Sequence, residues 1–174
     1  KAMAKTATGS RRCCAANSPM EHRFMHKEDH IHAAQALAEA AAASMLSRDN
    51  ATAAMGIALA DVGPGHARMT MTVRADMLNG HQTCHGGFIF ALADSAFAFA
   101  CNSYNMNTVG AGCTIDYLAP GREGDVLTAH AVEQALAGKS GVYDVKVSNQ
   151  EGRAIALFRG KSIRVAGEVI QEQA

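Results

Sequence analysis

Residues 88–101, FIFALADSAFAFAC, are apolar at almost every position and contain a single carboxylate, Asp94. Such a run has no polar stripe to turn toward water, so it predicts a helix that is enclosed on every face. An ionised carboxylate buried without a partner costs several kcal/mol or has its pKa raised. We therefore interpret Asp94 as a chemical group rather than as a surface residue.

His85, Gly86 and Gly87 directly precede this helix. Two glycines leave the backbone N–H groups uncovered at the positive end of the helix dipole, and this arrangement stabilises an anion. A glycine pair also serves tight turns, but its position directly before the helix favours a catalytic interpretation. An anion-stabilising terminus and a carboxylate therefore share one element.

The spacing of these groups also predicts a second chain. Asp94 lies eight residues beyond Gly86, which separates them by roughly 12 Å along one helix. One carbonyl carbon cannot meet both groups, because an attacking atom must come within about 3–3.5 Å of it. Two antiparallel helices of a homodimer would place Gly86 of one copy beside Asp94 of the other and create two equivalent sites.

Composition excludes several classes of function. With 174 residues, 48% of them hydrophobic, the chain suits one globular domain. Its 16 basic and 16 acidic residues give no electrostatic footprint for nucleic acid or for a membrane surface, and no apolar run approaches the roughly 20 residues of a spanning helix.

The cysteines predict a reduced, cytoplasmic protein without a metal site, because their number is odd and no CxxC or Cys/His zinc spacing occurs. Cys84 stands beside the glycines and could act as a nucleophile, since helix N-termini lower thiol pKa values. No base partner is evident, so we assign small-residue packing to all five, which are Cys13, Cys14, Cys84, Cys101 and Cys113.

Hydrophobic periodicity divides the chain into a disordered extension or expression remnant (1–28), a single domain (29–167) and a loose C-terminal tail (168–174). Two helices are expected at about 29–47 and 49–55, the second capped by Asp49 or Asn50. The predicted strands are 57–62, 66–77, 108–118, 126–136, 141–149 and 154–165. One buried helix followed by antiparallel strands indicates an α+β fold, in which about five to six strands curl around a long central helix.

An ordered set of motifs then resembles a known family. The set comprises NGHQ (79–82), HGG (85–87), LAD (92–94), CTIDYL (113–118), PG (120–121), GVYD (141–144) and ALFRGKS (156–162). It closely resembles the hotdog-fold acyl-CoA thioesterases of the phenylacetate-degradation type, the PaaI group, over about residues 55–165. HGG alone would be a weak signal, whereas the ordered set is specific.

This resemblance implies a hotdog fold, in which a curled sheet wraps a helix, two protomers join their sheets edge to edge, and dimers pair into tetramers. It further implies hydrolysis of a phenylacetyl-CoA-like or hydroxyphenylacetyl-CoA-like thioester to the free acid and CoA. Coenzyme A enters as part of the substrate, and no separate cofactor is expected.

The resemblance also implies roles for individual residues. Asp94 becomes the catalytic carboxylate, as general base or nucleophile, the N–H of Gly86 polarises the thioester carbonyl, and Gly87 beside it becomes a substrate-binding residue. Asn79 and His85 become supporting residues. Family members often place a hydroxyl near the attacking water on the strand after the helix, and Thr114 is the nearest hydroxyl here. The candidate ligands for the CoA phosphates are Arg122, Lys139, Arg159 and Lys161.

Several alternatives stay open at this point. An Asn before a glycine is by itself a turn signature, which applies to Asn79. His85 could orient the loop, bind the carbonyl or carry a proton. A His and a carboxylate also suit a hotdog hydratase or dehydratase. A non-enzymatic acyl-CoA sensor should carry a DNA-binding extension, and residues 1–27 show no helix-turn-helix pattern.

Overall fold

The computed structural model describes residues 19–171, with side chains described from residue 29 onward. The helices are α1 (Pro19–Leu46), α2 (Asn50–Met55) and α3 (Gly86–Asn102), and a single 3-10 turn spans Ala75–Met77. The strands are β1 (Ile57–Gly63), β2 (His66–Thr72), β3 (Met106–Tyr117), β4 (Val126–Ala137), β5 (Ser140–Ser148) and β6 (Ala154–Glu168).

The six strands form one antiparallel sheet in the order β1-β2-β4-β5-β6-β3. The sheet curls around α3, which packs against strands across its whole width. Fully burying a side chain such as Leu92 or Phe99 of α3 stabilises the fold by about 1.5–3 kcal/mol. The predicted α+β architecture is confirmed.

β3 is an edge strand, because only one of its sides is hydrogen-bonded, to β6. Nearly all of its residues are exposed, including Val109 and Tyr117. A register shift between Gly110 and Gly112 makes a bulge beside the ring of Phe97 on α3. A long exposed edge with apolar side chains is a ready template for pairing with another chain.

At both ends of the chain the helix and strand bounds differ from those expected. α1 begins at Pro19 rather than near residue 29, and proline is favoured in the first turn of a helix; residues 1–18 of the predicted extension lie outside the described part. The supposed tail is anchored over 168–171, because the backbone carbonyl of Val169 accepts hydrogen bonds from Ser44 and Arg48. Residues 172–174 again lie outside the described part.

The predicted strand 66–77 is also too long. β2 ends at Thr72, and the chain then turns away from the sheet through the 3-10 turn, where Arg74 contacts Asp76 at 3.0 Å. The short helix is confirmed as predicted, since the Asp49 side chain accepts a hydrogen bond from the N–H of Thr52 and caps α2. No helix in the described part of the chain is long and apolar enough to cross a membrane.

Candidate active site

One face of α3 is not covered by its own chain, contrary to the expectation of complete enclosure. Gly87 and Asp94 are exposed, and Ala91 and Ala98 are only partly buried. These four residues repeat at helical spacing and lie on one side of α3; we call them the open stripe. All-round apolar composition shows that a face must be covered but not by which chain, so the prediction failed at Asp94.

Asp94 opens into a cleft of about 610 Å³ between α3, β3, the end of α1 and the C-terminal segment. Met45, Phe97 and Cys101 contribute apolar surface to this cleft, and Arg48 lies at its α1 side. Partial loss of water around the carboxylate raises the pKa of Asp94, with no hydrogen bond contributing among the residues described. The carboxylate is therefore available as a base or nucleophile.

The N-terminal tip of α3 is ordered by His85. Its Nδ1 atom accepts a hydrogen bond of 3.0 Å from the N–H of Gly87, and its carbonyl accepts one of 2.9 Å from the N–H of Phe88. Because Nδ1 is an acceptor, the neutral ring carries its proton on Nε2. His85 is therefore the N-cap of α3, and this hydrogen bond occupies the N–H of Gly87.

The N–H of Gly86 is left without a partner among the residues described. It sits at the first position of α3, where the helix dipole favours negative charge. A free donor at this position suits a developing oxyanion. The predicted role of Gly86 is thus compatible with the geometry, and that of Gly87 is reduced to supporting the cap.

Asn79 lies in the loop before α3 and uses its side-chain oxygen for the loop itself. That oxygen accepts hydrogen bonds from the N–H groups of His81 and Thr83, at 2.9 and 3.3 Å, and from the Thr83 hydroxyl at 3.2 Å. Its Nδ2 amide has no acceptor in the described part of the chain. Asn79 therefore combines the two interpretations, a turn residue whose free amide is a donor.

Asn79 and Gly86 line a second cleft of about 410 Å³ together with Tyr117, Leu118 and Pro120. The Tyr117 hydroxyl donates a hydrogen bond of 3.0 Å to the carbonyl of Gly86. No residue that lines this cleft also lines the Asp94 cleft. Within one chain, the candidate oxyanion donor and the candidate base therefore occupy separate clefts.

Thr114 does not lie near either group. It is paired with Arg159 across β3 and β6, and both line a cleft of about 580 Å³ on the outer face of the sheet. The β3 residues that line the cleft with Asp94 include Gly110, Gly112 and Thr108, so Thr108 rather than Thr114 is the β3 hydroxyl residue of this cleft; its hydroxyl donates to the carbonyl of Met106. Polar Thr114 and Asp116 alternate with apolar Ile115, and this pattern was the sequence signal that the Thr114 side chain lies on the outer face of the sheet.

The four basic candidates are also separated. Arg159 forms a two-point ion pair with Asp144 on the outer face, at 2.6 and 2.7 Å, and Lys161 alternates with buried neighbours on the same strand and faces outward. Lys139 lies in the turn between β4 and β5. Arg122 is exposed and lies two residues after Pro120, which lines the Gly86 cleft. Of the four basic candidates, it alone is close in sequence to a residue of that cleft.

The cysteines agree only in part with the packing assignment. Cys84 is buried, and loss of water raises the pKa of its thiol to about 11. Cys101 is also buried, and its pKa is raised to about 12, mainly by burial. Cys113 is exposed on β3 and contradicts the assignment. Cys13 and Cys14 lie outside the described residues.

Comparison with known proteins identifies the family. A model of the thioesterase superfamily matches residues 81–156. Over 129 residues the chain is 49% identical to the acyl-coenzyme A thioesterase PaaI of Escherichia coli K12, covering 74% of this chain and 92% of that protein. The chain belongs to the thioesterase superfamily. It is a thioester hydrolase of the PaaI type.

Solved structures place this PaaI-type chain in the hotdog fold. The structure of the E. coli PaaI protein from the phenylacetic acid degradation operon matches with a TM-score of 0.76 and 48% identity, covering 77% of this chain and 97% of that one. A hypothetical thioesterase from Streptococcus pneumoniae TIGR4, solved with coenzyme A, matches with a TM-score of 0.62 and 27% identity, covering 64% and 88%.

Proposed function

We propose that the chain hydrolyses acyl-CoA thioesters in sites shared by two copies, with Gly86 supplied by one copy and Asp94 by the other. The observation that carries this proposal is the separation of the two groups. They stand on one helix eight residues apart, roughly 12 Å by helical rise, and they open into clefts that share no residue. A second α3 running antiparallel closes this gap.

Two surface features support such a dimer. The open stripe of α3 leaves Asp94 exposed, and the neighbouring strand β3 has one free edge. Pairing β3 with its copy would extend the sheet and bring the two open stripes together around a twofold axis. The same pairing would remove water from Asp94 and raise its pKa further. Pairing of two such dimers into a tetramer is a further expectation from the family.

In the proposed reaction the thioester carbonyl oxygen approaches the free N–H of Gly86. The Asn79 amide is a second candidate donor, since its Nδ2 is free while its oxygen is held by the loop. Loss of one oxyanion donor typically costs about 3–4 kcal/mol of transition-state stabilisation. Because neither donor must reorganise during the reaction, both are suited to stabilise charge on the oxyanion.

Asp94 of the second copy then has two possible roles. As general base it takes a proton from water, whose oxygen attacks the carbonyl carbon. As nucleophile it attacks the carbonyl itself, and water cleaves the resulting anhydride. In both routes the C–S bond breaks, one water is consumed, and the carboxylic acid and the CoA thiol are released. Coenzyme A is part of the substrate.

The acyl group is proposed to occupy the Asp94 cleft. Its floor follows α3 from Asp94 through Ala98 to Asn102, a length of about 12 Å by helical rise. Met45, Phe97 and Val109 supply apolar walls. An arylacetyl group is a suitable occupant, and the relationship to a protein of a phenylacetic acid degradation operon supports this choice.

The test is an acyl-CoA panel followed by thiol release. Phenylacetyl-, 4-hydroxyphenylacetyl-, hexanoyl-, palmitoyl- and crotonyl-CoA are each assayed with the wild-type protein and with the Asp94→Asn variant, and Asp144→Asn on the outer face is the matched control. We expect turnover with the arylacetyl substrates, and a loss of about 1,000-fold or more in Asp94→Asn alone. Equal turnover in the wild type and Asp94→Asn contradicts the mechanism, and hydration of crotonyl-CoA without thiol release contradicts the function.

A further inference from the structure

Tyr117 connects the edge strand to the tip of the helix. It is the last residue of β3, and its hydroxyl donates a hydrogen bond of 3.0 Å to the carbonyl oxygen of Gly86. A Cβ atom added to Gly86 would lie 3.1 Å from both Cζ and the hydroxyl oxygen of Tyr117. The ring thus packs directly on the residue whose N–H is free.

The backbone beside Tyr117 is held firmly by the sheet. Tyr117 is paired with Ala156 of β6, and the next two N–H groups, of Leu118 and Ala119, both donate to the carbonyl of Ile155, at 2.8 and 3.2 Å. Packing also desolvates the phenol and raises the pKa of Tyr117. The hydroxyl accordingly stays protonated, as a donor must, through neutral pH.

We propose that Tyr117 is a positioning residue, which fixes the peptide group between Gly86 and Gly87 and thereby holds the Cα atom of Gly86, from which the free N–H points at the thioester carbonyl. This inference rests on the proposed function. The Gly86 carbonyl and the Gly87 N–H belong to one peptide group, which is held at both ends: His85 Nδ1 accepts from its N–H and Tyr117 donates to its carbonyl. The free N–H of Gly86 belongs to the preceding peptide group, which shares the Cα atom of Gly86 and whose carbonyl accepts from the N–H of Phe88. The oxyanion donor is then held by a strand as well as by its own helix.

The same contact gives a second reason for glycine at position 86. A side chain there would displace the Tyr117 ring, because 3.1 Å is closer than a Cβ normally approaches another heavy atom. A substitution at Gly86 therefore disturbs the positioning contact even when the substrate side of the residue stays open.

Tyr117→Phe tests the proposal, because it removes the hydroxyl and keeps the ring. With phenylacetyl-CoA we expect kcat to fall about tenfold, the size of one lost hydrogen bond, while KM changes less than about twofold. Tyr143→Phe is the matched control, since its hydroxyl donates to Glu133 at 3.0 Å outside both clefts. It should lower the thermal midpoint and leave kcat unchanged.

A spectroscopic measurement separates positioning from a purely structural role. Phenylacetyl-CoA labelled with ¹³C at the thioester carbonyl is bound to Asp94→Asn, and the carbonyl stretch is recorded by infrared difference spectroscopy. Polarisation by Gly86 lowers this frequency, and adding Tyr117→Phe should move it back toward the value of free substrate. An unchanged frequency, or an unchanged kcat in Tyr117→Phe alone, overturns the inference.

Failure of the inference is distinguishable from failure of the proposed function. If the wild-type protein releases thiol from phenylacetyl-CoA and Tyr117→Phe does so equally well, only the positioning role is wrong. If the wild-type protein hydrolyses no acyl-CoA of the panel, the proposed function is wrong and the positioning role falls with it.

Discussion

The two halves of α3 differ in how completely their own chain prepares them. At the tip, His85 caps the helix, Tyr117 holds the Gly86 carbonyl and Asn79 is fixed by its loop. Two turns further along, Asp94 is exposed and accepts no hydrogen bond from the residues described. The half with the candidate oxyanion donor is ordered within one chain, whereas the half with the candidate base is left exposed by it.

Under the proposed function, this difference separates two catalytic tasks, stabilisation of the oxyanion and activation of water. Dipoles that are held rigid before the substrate arrives need no reorganisation when charge develops on the carbonyl oxygen. A carboxylate becomes a stronger base when water is removed from it, because its pKa rises. Under the proposed dimer, association therefore tunes the base and leaves the oxyanion donor unchanged.

The largest expected effect comes from mixing two inactive variants. Asp94→Asn lacks the base and Gly86→Pro lacks the donor. After unfolding and refolding of an equal mixture, half of the dimers combine one chain of each kind, and each such dimer has one intact site of two. Activity should therefore recover to about a quarter of the wild-type value, as measured by thiol release.

Each variant refolded alone is the control for this complementation. A mixture that stays as inactive as its two components would show that Gly86 and Asp94 act within one chain, and the contrast between the two halves of α3 would lose its functional meaning.

The next largest effect concerns the donor alone. Gly86→Pro removes the N–H at the first position of α3, where proline is favoured, and the extended backbone of His85 suits a residue before proline. We expect kcat to fall about 100- to 1,000-fold. Gly86→Ala is the matched control, because it adds a Cβ beside Tyr117 and keeps the N–H; equal losses in the two variants would argue against the oxyanion role.

A smaller effect is expected from pH. Desolvation raises the pKa of Asp94, and the reaction needs the ionised form, so kcat/KM should fall on the acid side with an apparent pKa above the usual value of about 3.9. The folded state favours the protonated form of Asp94, because burial disfavours its charge. The stability that this carboxyl contributes at low pH is therefore lost as pH rises through its raised pKa. The thermal midpoint of the wild type should therefore fall relative to Asp94→Asn over that range.

If the apparent pKa of the acid limb were at or below the ordinary value for aspartate, the Asp94 carboxylate would be fully hydrated in the working enzyme. Tyr143→Phe, which leaves the Asp94 carboxylate in place, serves as the control and should reproduce the wild-type profile.

The smallest effect compares the two faces of the sheet. Arg122 follows the wall of the Gly86 cleft, whereas Arg159 is bound to Asp144 on the outer face. Arg122→Ala should raise KM for phenylacetyl-CoA several-fold through lost phosphate contacts, and Arg159→Ala should change it less than about twofold. Phenylacetyl-pantetheine lacks the nucleotide, so neither substitution should change its KM. A larger rise in KM for phenylacetyl-CoA from Arg159→Ala than from Arg122→Ala would reverse the comparison.

Much of the fold followed from periodicity. The apolar run predicted α3 to within two residues at its start, and alternating residues predicted all six strands. The end of β2 was missed because residues 73–77 continue the alternation while Arg74 and Asp76 fold the backbone into a turn. Local chain reversal by a 3-10 turn leaves little trace in a hydrophobic pattern.

The site was less predictable, for two physical reasons. The eight-residue spacing was enough to predict that Gly86 and Asp94 are too far apart to act together on one helix. A single sequence does not tell which chain covers an apolar face, so it did not predict that Asp94 is exposed within its own chain. Tyr117 was visible only as part of a motif, because its hydrogen bond to Gly86 joins residues 31 positions apart. Contacts of that kind depend on the sheet register, which the bulge at Gly110–Gly112 also changes.

Hydrogen bonds at Val169 connect the C-terminal segment to the end of α1. Ser44 and Arg48 both bind the carbonyl of Val169, across separations of 125 and 121 residues. Val169, Met45 and Arg48 also border the cleft beside Asp94. An affinity tag or a truncation placed after residue 168 would thus alter the cleft proposed for the acyl group, although it lies more than 70 residues downstream of Asp94.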